Sequence, residues 1–247
     1  MAGDNFDKMF YFNYEKYDFW PVYDSIKKYY PIGIPKDDTG MYMNYPGLKN
    51  LEKVIIDNIH DENNFTSCWE AFEKTVEYRT HKIVYGTTYG QTPCFSSYIE
   101  LDRRSTDNLI RIKEIHFFVS LVGPFYTVLG YDRSEIHLED DKVYATNFLM
   151  VSPEYEYQES FDLICQSIEE KFPGFRFVPH GIYSQHIEGL DIHYTGERLN
   201  AIFNALFNNQ IDLQTRTIGK GYFKSEYWLV EGYDLDTDNK GASYIKK

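Results

Sequence analysis

The sequence predicts an α+β protein: a mainly antiparallel sheet, with a central meander over about residues 94–151, and helices packed on it. Three patterns predict this. Apolar residues recur at helical spacing over 47–80 and again over 152–172. Between those blocks lie short runs rich in β-branched and aromatic residues, separated by turn chemistry. No internal repeat or low-complexity linker divides the 247 residues, a length that suits one large domain with its own core. Within that domain, 1–85 is aromatic and helical, 86–230 carries the sheet and two helices, and 231–247 is an acidic tail expected to be mobile.

Residues 8–46 are dense in rings, and Pro21, Pro31, Pro35 and Pro46 forbid one long helix there. A short helix is expected near 22–30. Leu48, Leu51, Ile55 and Ile59 then stand at helical spacing. Ser67 precedes Glu70 by three residues, the pattern of a capping box, and Trp69, Phe72 and Val76 give the second helix an apolar stripe.

Four strand-like runs follow: CFSSYIELDRR, NLIRIKEIHFFVSL, FYTVLGYD and KVYATNFLMV. Thr106-Asp107-Asn108, Gly123-Pro124 and Glu139-Asp140-Asp141 mark the turns between them. The stretch 115–122 is apolar on both faces and is assigned to the centre of the sheet.

In SPEYEYQESFDLICQSIEEKFPG, Ser152 is read as an N-cap and Pro153 as the first helical residue. Tyr157, Phe161, Ile164, Cys165, Ile168 and Phe172 form the buried stripe, and Pro173-Gly174 ends the helix. FRFV reads as a strand. A further helix is expected over GERLNAIFNALFNN, capped by Thr195, with Leu199, Ile202, Phe203 and Leu206 on one face. GYFKSEYWLV is expected to be the last strand.

The net charge is −13 and the isoelectric point near 5.0. Such a chain repels phosphate backbones and anionic lipid surfaces, which argues against nucleic-acid and membrane partners. It favours a basic protein partner and salt-sensitive association. Three widely spaced cysteines, Cys68, Cys94 and Cys165, give neither a zinc knuckle nor a disulfide framework, so free thiols in a reducing cytoplasm are expected. The first residues lack the basic and apolar regions of a signal peptide, and no apolar run is long enough to span a bilayer as a helix.

Candidate chemistry is sparse, and no cofactor is implied. His180, His186, Asp191 and His193 offer ligands for zinc or iron, though their spacing matches no helical metal motif. Hairpin or loop histidines are the simpler reading of them. Asp234, Asp236 and Asp238 begin like a calcium loop, but Asn239 and Ile245 stand where that loop needs glycine and glutamate. Asp38-Thr39-Gly40 resembles the aspartic-protease tripeptide, yet no second copy occurs, so a turn is expected. Cys68 lies in the first turn of the predicted helix, where a thiolate is favoured, and would need His81 as its base; an ordinary core thiol is preferred. No glycine-rich phosphate loop and no GxSxG occurs, and the balance leans away from an enzyme.

The chain holds 23 tyrosines and 18 phenylalanines. Tyrosine combines a buried ring with a hydroxyl that seeks a partner, which suits recognition surfaces. Within the opening segment, Phe10, Phe12, Phe19 and Trp20 are expected to seal the sheet, leaving several tyrosines partly exposed. Candidate partner-binding residues are Tyr11, Tyr14, Tyr17 and Trp20, together with the acidic Glu135, Glu139, Asp140 and Asp141. This acidic, tyrosine-rich character, with the aromatic hairpin FFVSLVGPFYTVLGYD, resembles the immunity proteins of bacterial polymorphic-toxin systems. The resemblance is one of overall character, and it implies a cytosolic inhibitor that occludes the active site of a basic toxin domain. The alternatives are a metal-dependent hydrolase built on the 180–193 histidines and a structural protein that self-associates through its aromatic face.

Overall fold

The computed structural model describes residues 17–138, 143–196 and 200–230. It shows the expected α+β architecture, with helices packed on a mostly antiparallel mixed sheet. Seven strands are formed among the described residues: β1 Val84–Gly86, β2 Cys94–Ser105, β3 Leu109–Ser120, β4 Phe125–His137, β5 Val143–Met150, β6 Arg176–Phe177 and β7 Arg216–Ile218. They run in the order β1-β2-β3-β4-β5-β7, with β6 beside β4. Strands β2 to β5 are the predicted meander, and β3 and β4 form its middle. β6 and β7 pair in parallel with β4 and β5.

Alternation sends successive side chains to opposite faces, and two cores result. On one face, Phe95, Ile99, Ile115, Phe117, Val119, Tyr126 and Val128 are buried beneath Trp69, α5 (Ala71–Thr80) and α6 (Gln158–Lys171). Trp69 stacks on Phe95 at 5.1 Å, and its indole donates to Ser97 Oγ at 3.1 Å. Gly130 admits Tyr157 onto this face; a Cβ there would come within 2.6 Å of the phenol ring.

On the other face, Cys94, Phe118, Phe125, Leu129 and Leu149 meet α1 (Trp20–Tyr29), α3 (Pro46–Ile55), α7 (His180–Tyr183) and α8 (Ile202–Leu206). α1 has a proline in its first turn and Lys27 and Lys28 in its last, both suited to the helix dipole. Phe19 is buried there as expected, whereas Trp20 is 39% exposed. Phe10 and Phe12 lie outside the described residues.

The helical block 46–80 contains more pieces than the sequence suggests. α3 runs into a π turn, Ile56–His60, and a break at Asp61 follows. Asp61 caps α4 (Glu62–Phe65) by accepting from Asn64 N at 3.0 Å. The chain is therefore already helical at Ser67, which lies inside a second π turn, Thr66–Glu70, and donates to Asn64 O; the predicted Ser67–Glu70 box is not formed. α2 (Thr39–Met43) turns the DTG tripeptide into a cap, with Asp38 accepting from Met41 N.

Three further expectations are corrected. Ser152 does not cap the long helix: its hydroxyl accepts from Lys220 N and donates to Glu154. Tyr155 then takes a positive φ, and a 3-10 turn at Tyr155–Tyr157 leads into α6. Of the helix predicted over GERLNAIFNALFNN, 197–199, Leu199 among them, lie outside the described residues; α8 covers Ile202–Leu206, Asn204 bonds both Ala201 N and Asn208 O, and Thr195 donates to Ile192 O instead of capping it. The predicted last strand is a 3-10 turn, Ser225–Trp228, entered through Lys224 at φ 57°. Tertiary contacts decide that segment. The Trp228 indole donates to Phe177 O at 2.6 Å and packs on Phe19 and Phe125, while Lys224 Nζ reaches Glu169 at 2.5 Å.

Candidate functional site

The strands of the meander outrun the helices that cover them. Their far halves, 100–105, 109–114, 131–137 and 143–148, form an open sheet with largely half-buried and exposed positions. Cross-strand register places Tyr85 opposite Tyr98, and Tyr98 opposite His116. Directly opposed residues share a face, so the three rings form a row across β1, β2 and β3. Tyr85 and Tyr98 stack at 5.0 Å, Tyr98 and His116 at 5.1 Å, and Tyr131 meets His116 edge-on at 6.1 Å.

The next rung holds Glu100, Glu114 and Tyr131. Two carboxylates directly opposite each other are unfavourable in a sheet. Here each has a cationic or hydrogen-bonding neighbour. Arg103 binds Glu100 at 2.6 Å, and the His116 ring meets Glu114 at 3.0 Å. Burial by itself would raise the Glu114 carboxyl. The hydrogen bond and charge of His116, with Arg133 and Arg103, outweigh it and hold the group below its ordinary value. Burial pushes the phenols of Tyr98 and Tyr131 up, helped in both by the Glu114 charge, so both stay neutral donors at neutral pH. The rung after that adds Arg133, whose Nε is buried without a partner.

The opposite side of the open sheet is a charge ladder. Arg111 grips Asp132 through two nitrogens, Lys113 pairs with Glu156, and Arg104 pairs with Asp102. Such half-exposed pairs solubilise a sheet and contribute little stability each.

A second concavity of about 490 Å³ lies between α3 and the 90–91 loop. Leu48, Leu51, Ile55 and Ile56 form its apolar wall, and His60 and His193 stand at its polar side. The π turn delivers His60, whose Nε2 lies 2.8 Å from Gly90 O. Burial and the Lys36 charge hold the His193 ring below its ordinary value.

The structure separates the proposed metal ligands. His180 begins α7, His186 bridges Ala201, and His193 lines the cleft. Asp191 is taken by Lys36, through its backbone N at 2.9 Å and its ammonium at 3.5 Å. Asp191 and His193 lie in an irregular segment, not a strand. Among the described residues, no group of three or more His, Cys, Asp or Glu side chains is arranged to hold a metal ion. Cys68 sits within the π turn, and burial pushes its thiol up despite Lys171, the opposite of an activated thiolate. His81 serves as the left-handed C-cap of α5.

Of the proposed contact residues, Tyr17 bridges Leu229 and rests against the core that holds Phe19 and Phe125, and Trp20 packs edge-on against Tyr23 at 5.4 Å. Glu135 lies on β4 in the open half, next to His137. Tyr11, Tyr14, Glu139, Asp140, Asp141 and the Asp234–Asp238 acids lie outside the described residues. The ring row itself was missed. Its signal was present, since Tyr98 and His116 occupy the same face of adjacent predicted strands, but alignment needs the register, which no run of sequence states. No helix of the described residues is long and apolar enough to cross a membrane. No protein-family model, curated protein or solved structure matches this chain.

Proposed function

We propose that this chain is a protein-binding module that occludes a basic partner, in the manner of an immunity protein blocking a toxin domain. The observation that carries the reading is the row Tyr85, Tyr98, His116 and Tyr131 on an open sheet face, with Glu100 and Glu114 on the adjoining rung. Tyrosines supply contact area at low entropic cost, and paired carboxylates offer a seat for a guanidinium or ammonium group. The net charge of −13 adds long-range attraction for a basic protein and discourages nucleic acid. Free Cys68, Cys94 and Cys165 suit a reducing, cytoplasmic location. The hydrolase alternative finds no support in side chains held this far apart in role.

Affinity capture from the native cell at low ionic strength tests the proposal. A basic protein should co-purify, bind more weakly as salt rises, and lose affinity by about 2 kcal/mol or more when Tyr98 and Glu114 are replaced by Ala and Gln. Capture that is insensitive to both salt and these substitutions would remove the open face from consideration.

A further inference from the structure

The far half of β2 changes face at one point. β2 and β3 step out of register between Glu100 and Asp102, and Leu101 has no partner in the ladder. Without that bulge, alternation would put Asp102 and Arg104 on the face of Glu100. With it, Asp102 falls opposite Lys113 and Arg104 opposite Arg111, on the charge-ladder side. Arg103 falls opposite Ile112, on the side of Glu114 and the ring row. Bulges re-aim single side chains in this way, and they gather beside functional sites.

The side chain re-aimed here is a guanidinium, and it occupies the carboxylate rung. Arg103 donates to Glu100 Oε2 from Nε at 2.8 Å and from Nη2 at 2.6 Å. Both bonds fall on one oxygen, and Oε1 of Glu100 accepts nothing among the described residues. Against its burial, the Glu114 carboxyl is held low by His116 first and then by Arg133 and Arg103, so the Arg103 charge reaches the opposed carboxylate too. Its hold is weak. The Arg103 side chain is 52% exposed and that of Glu100 26%, and ion pairs open to water contribute little.

We propose that Arg103 is an internal plug: in the free chain its guanidinium fills the seat that an arginine of the basic partner takes in the complex, and it swings into solvent when that arginine arrives. The inference rests on the reading of the open face as the binding surface, and it commits the partner's anchor to one chemistry. A seat that already holds a guanidinium through two nitrogens suits another planar fork, which can also use the open Oε1. An ammonium is a point donor and replaces that fork poorly. Exchanging one arginine for another costs the chain little, because the pair given up is exposed while the incoming one is shielded by the partner.

Capped tetra-arginine and tetra-lysine peptides, equal in charge, test this at low ionic strength, with affinity from calorimetry and the site from amide shifts of Tyr98, Glu100 and Glu114. Tetra-arginine should bind several-fold more tightly than tetra-lysine and shift those amides. Arg103→Gln should tighten tetra-arginine binding about two- to fivefold, the range that an exposed ion pair covers. Arg104→Gln makes the same charge change on the opposite side of the sheet and should alter affinity little. In a Glu100→Gln background, Arg103→Gln should have no effect. The plug is overturned by an equal gain from Arg104→Gln, which would report net charge alone, by weaker binding in Arg103→Gln, or by the lack of a preference for arginine. Those results leave the open face standing if Tyr98→Ala still weakens binding. If Tyr98→Ala and Glu114→Gln leave tetra-arginine binding unchanged, the reading of the face falls, and the plug falls with it.

Discussion

The near and far halves of the same four strands obey opposite rules. In the near half, Phe95, Phe117, Phe118 and Leu129 lie under helices on both faces, and the strands read as continuous apolar runs. In the far half the same strands carry Glu100, Arg103, Arg111, Asp132 and Arg133, with tyrosines between them. The meander therefore works as a beam. One end is anchored by two cores, and the other is held out, stiffened by its own ladder hydrogen bonds. Stability is concentrated at the anchored end, which frees the far end to carry costly features such as the opposed Glu100 and Glu114.

That contrast can be broken most sharply at the anchored end. Trp69→Ala should destabilise the fold by about 3–5 kcal/mol in urea denaturation, because it removes a fully buried ring, leaves a cavity and takes away the indole donor to Ser97, whose own hydrogen bond to Glu73 stays. Gly130→Ala should cost about 1–3 kcal/mol, since the new methyl meets Tyr157 and Met150 side chains that have little room to yield. In the ring row bordering the far half, Tyr98→Ala should change stability by less than about 1 kcal/mol, yet it should abolish most of the proposed partner binding. Equal stability losses at Trp69 and Tyr98 would erase the distinction between the halves.

Acid sharpens the comparison further. Burial holds the His180 ring below its ordinary value, and burial with the Lys36 charge does the same for His193. Both folded-state values lie under the unfolded one, so the unfolded chain takes up protons first. Stability should fall as pH drops through the ordinary histidine range near about 6.5. His180→Phe should flatten that part of the profile. Glu114, also held low, acts further down: its contribution is present above the ordinary carboxylate range and is lost as pH falls through its depressed folded value. Removing the exposed Arg104–Asp102 pair should have the smallest effect, within about 0.5 kcal/mol.

The meander was legible because its signals are local. The β-branched and aromatic content of NLIRIKEIHFF and the turn residues at Thr106-Asp107-Asn108 and Gly123-Pro124 require no knowledge of the rest of the chain. The stripe from Phe161 to Ile168 identified α6 for the same reason, although its cap was misplaced. The errors collect where distant residues decide. GYFKSEYWLV has the composition of a strand, but Trp228 is drawn to Phe177, Phe125 and Phe19, and Lys224 to Glu169. β1 and β7 escaped notice because runs of three residues carry no period of their own, whereas β6 falls within the FRFV run that reads as a strand. The histidines of 180–193 looked like a cluster only because they are near in sequence.

By itself, then, the chain's order of residues determined the class of fold, the meander and the acidic, phenol-rich surface, since each follows from short-range periodicity or composition. Only the tertiary structure decided which tyrosines stand together and which carboxylates oppose each other. Those depend on strand register and on the reach of the covering helices, and both are set by packing between segments far apart in the chain.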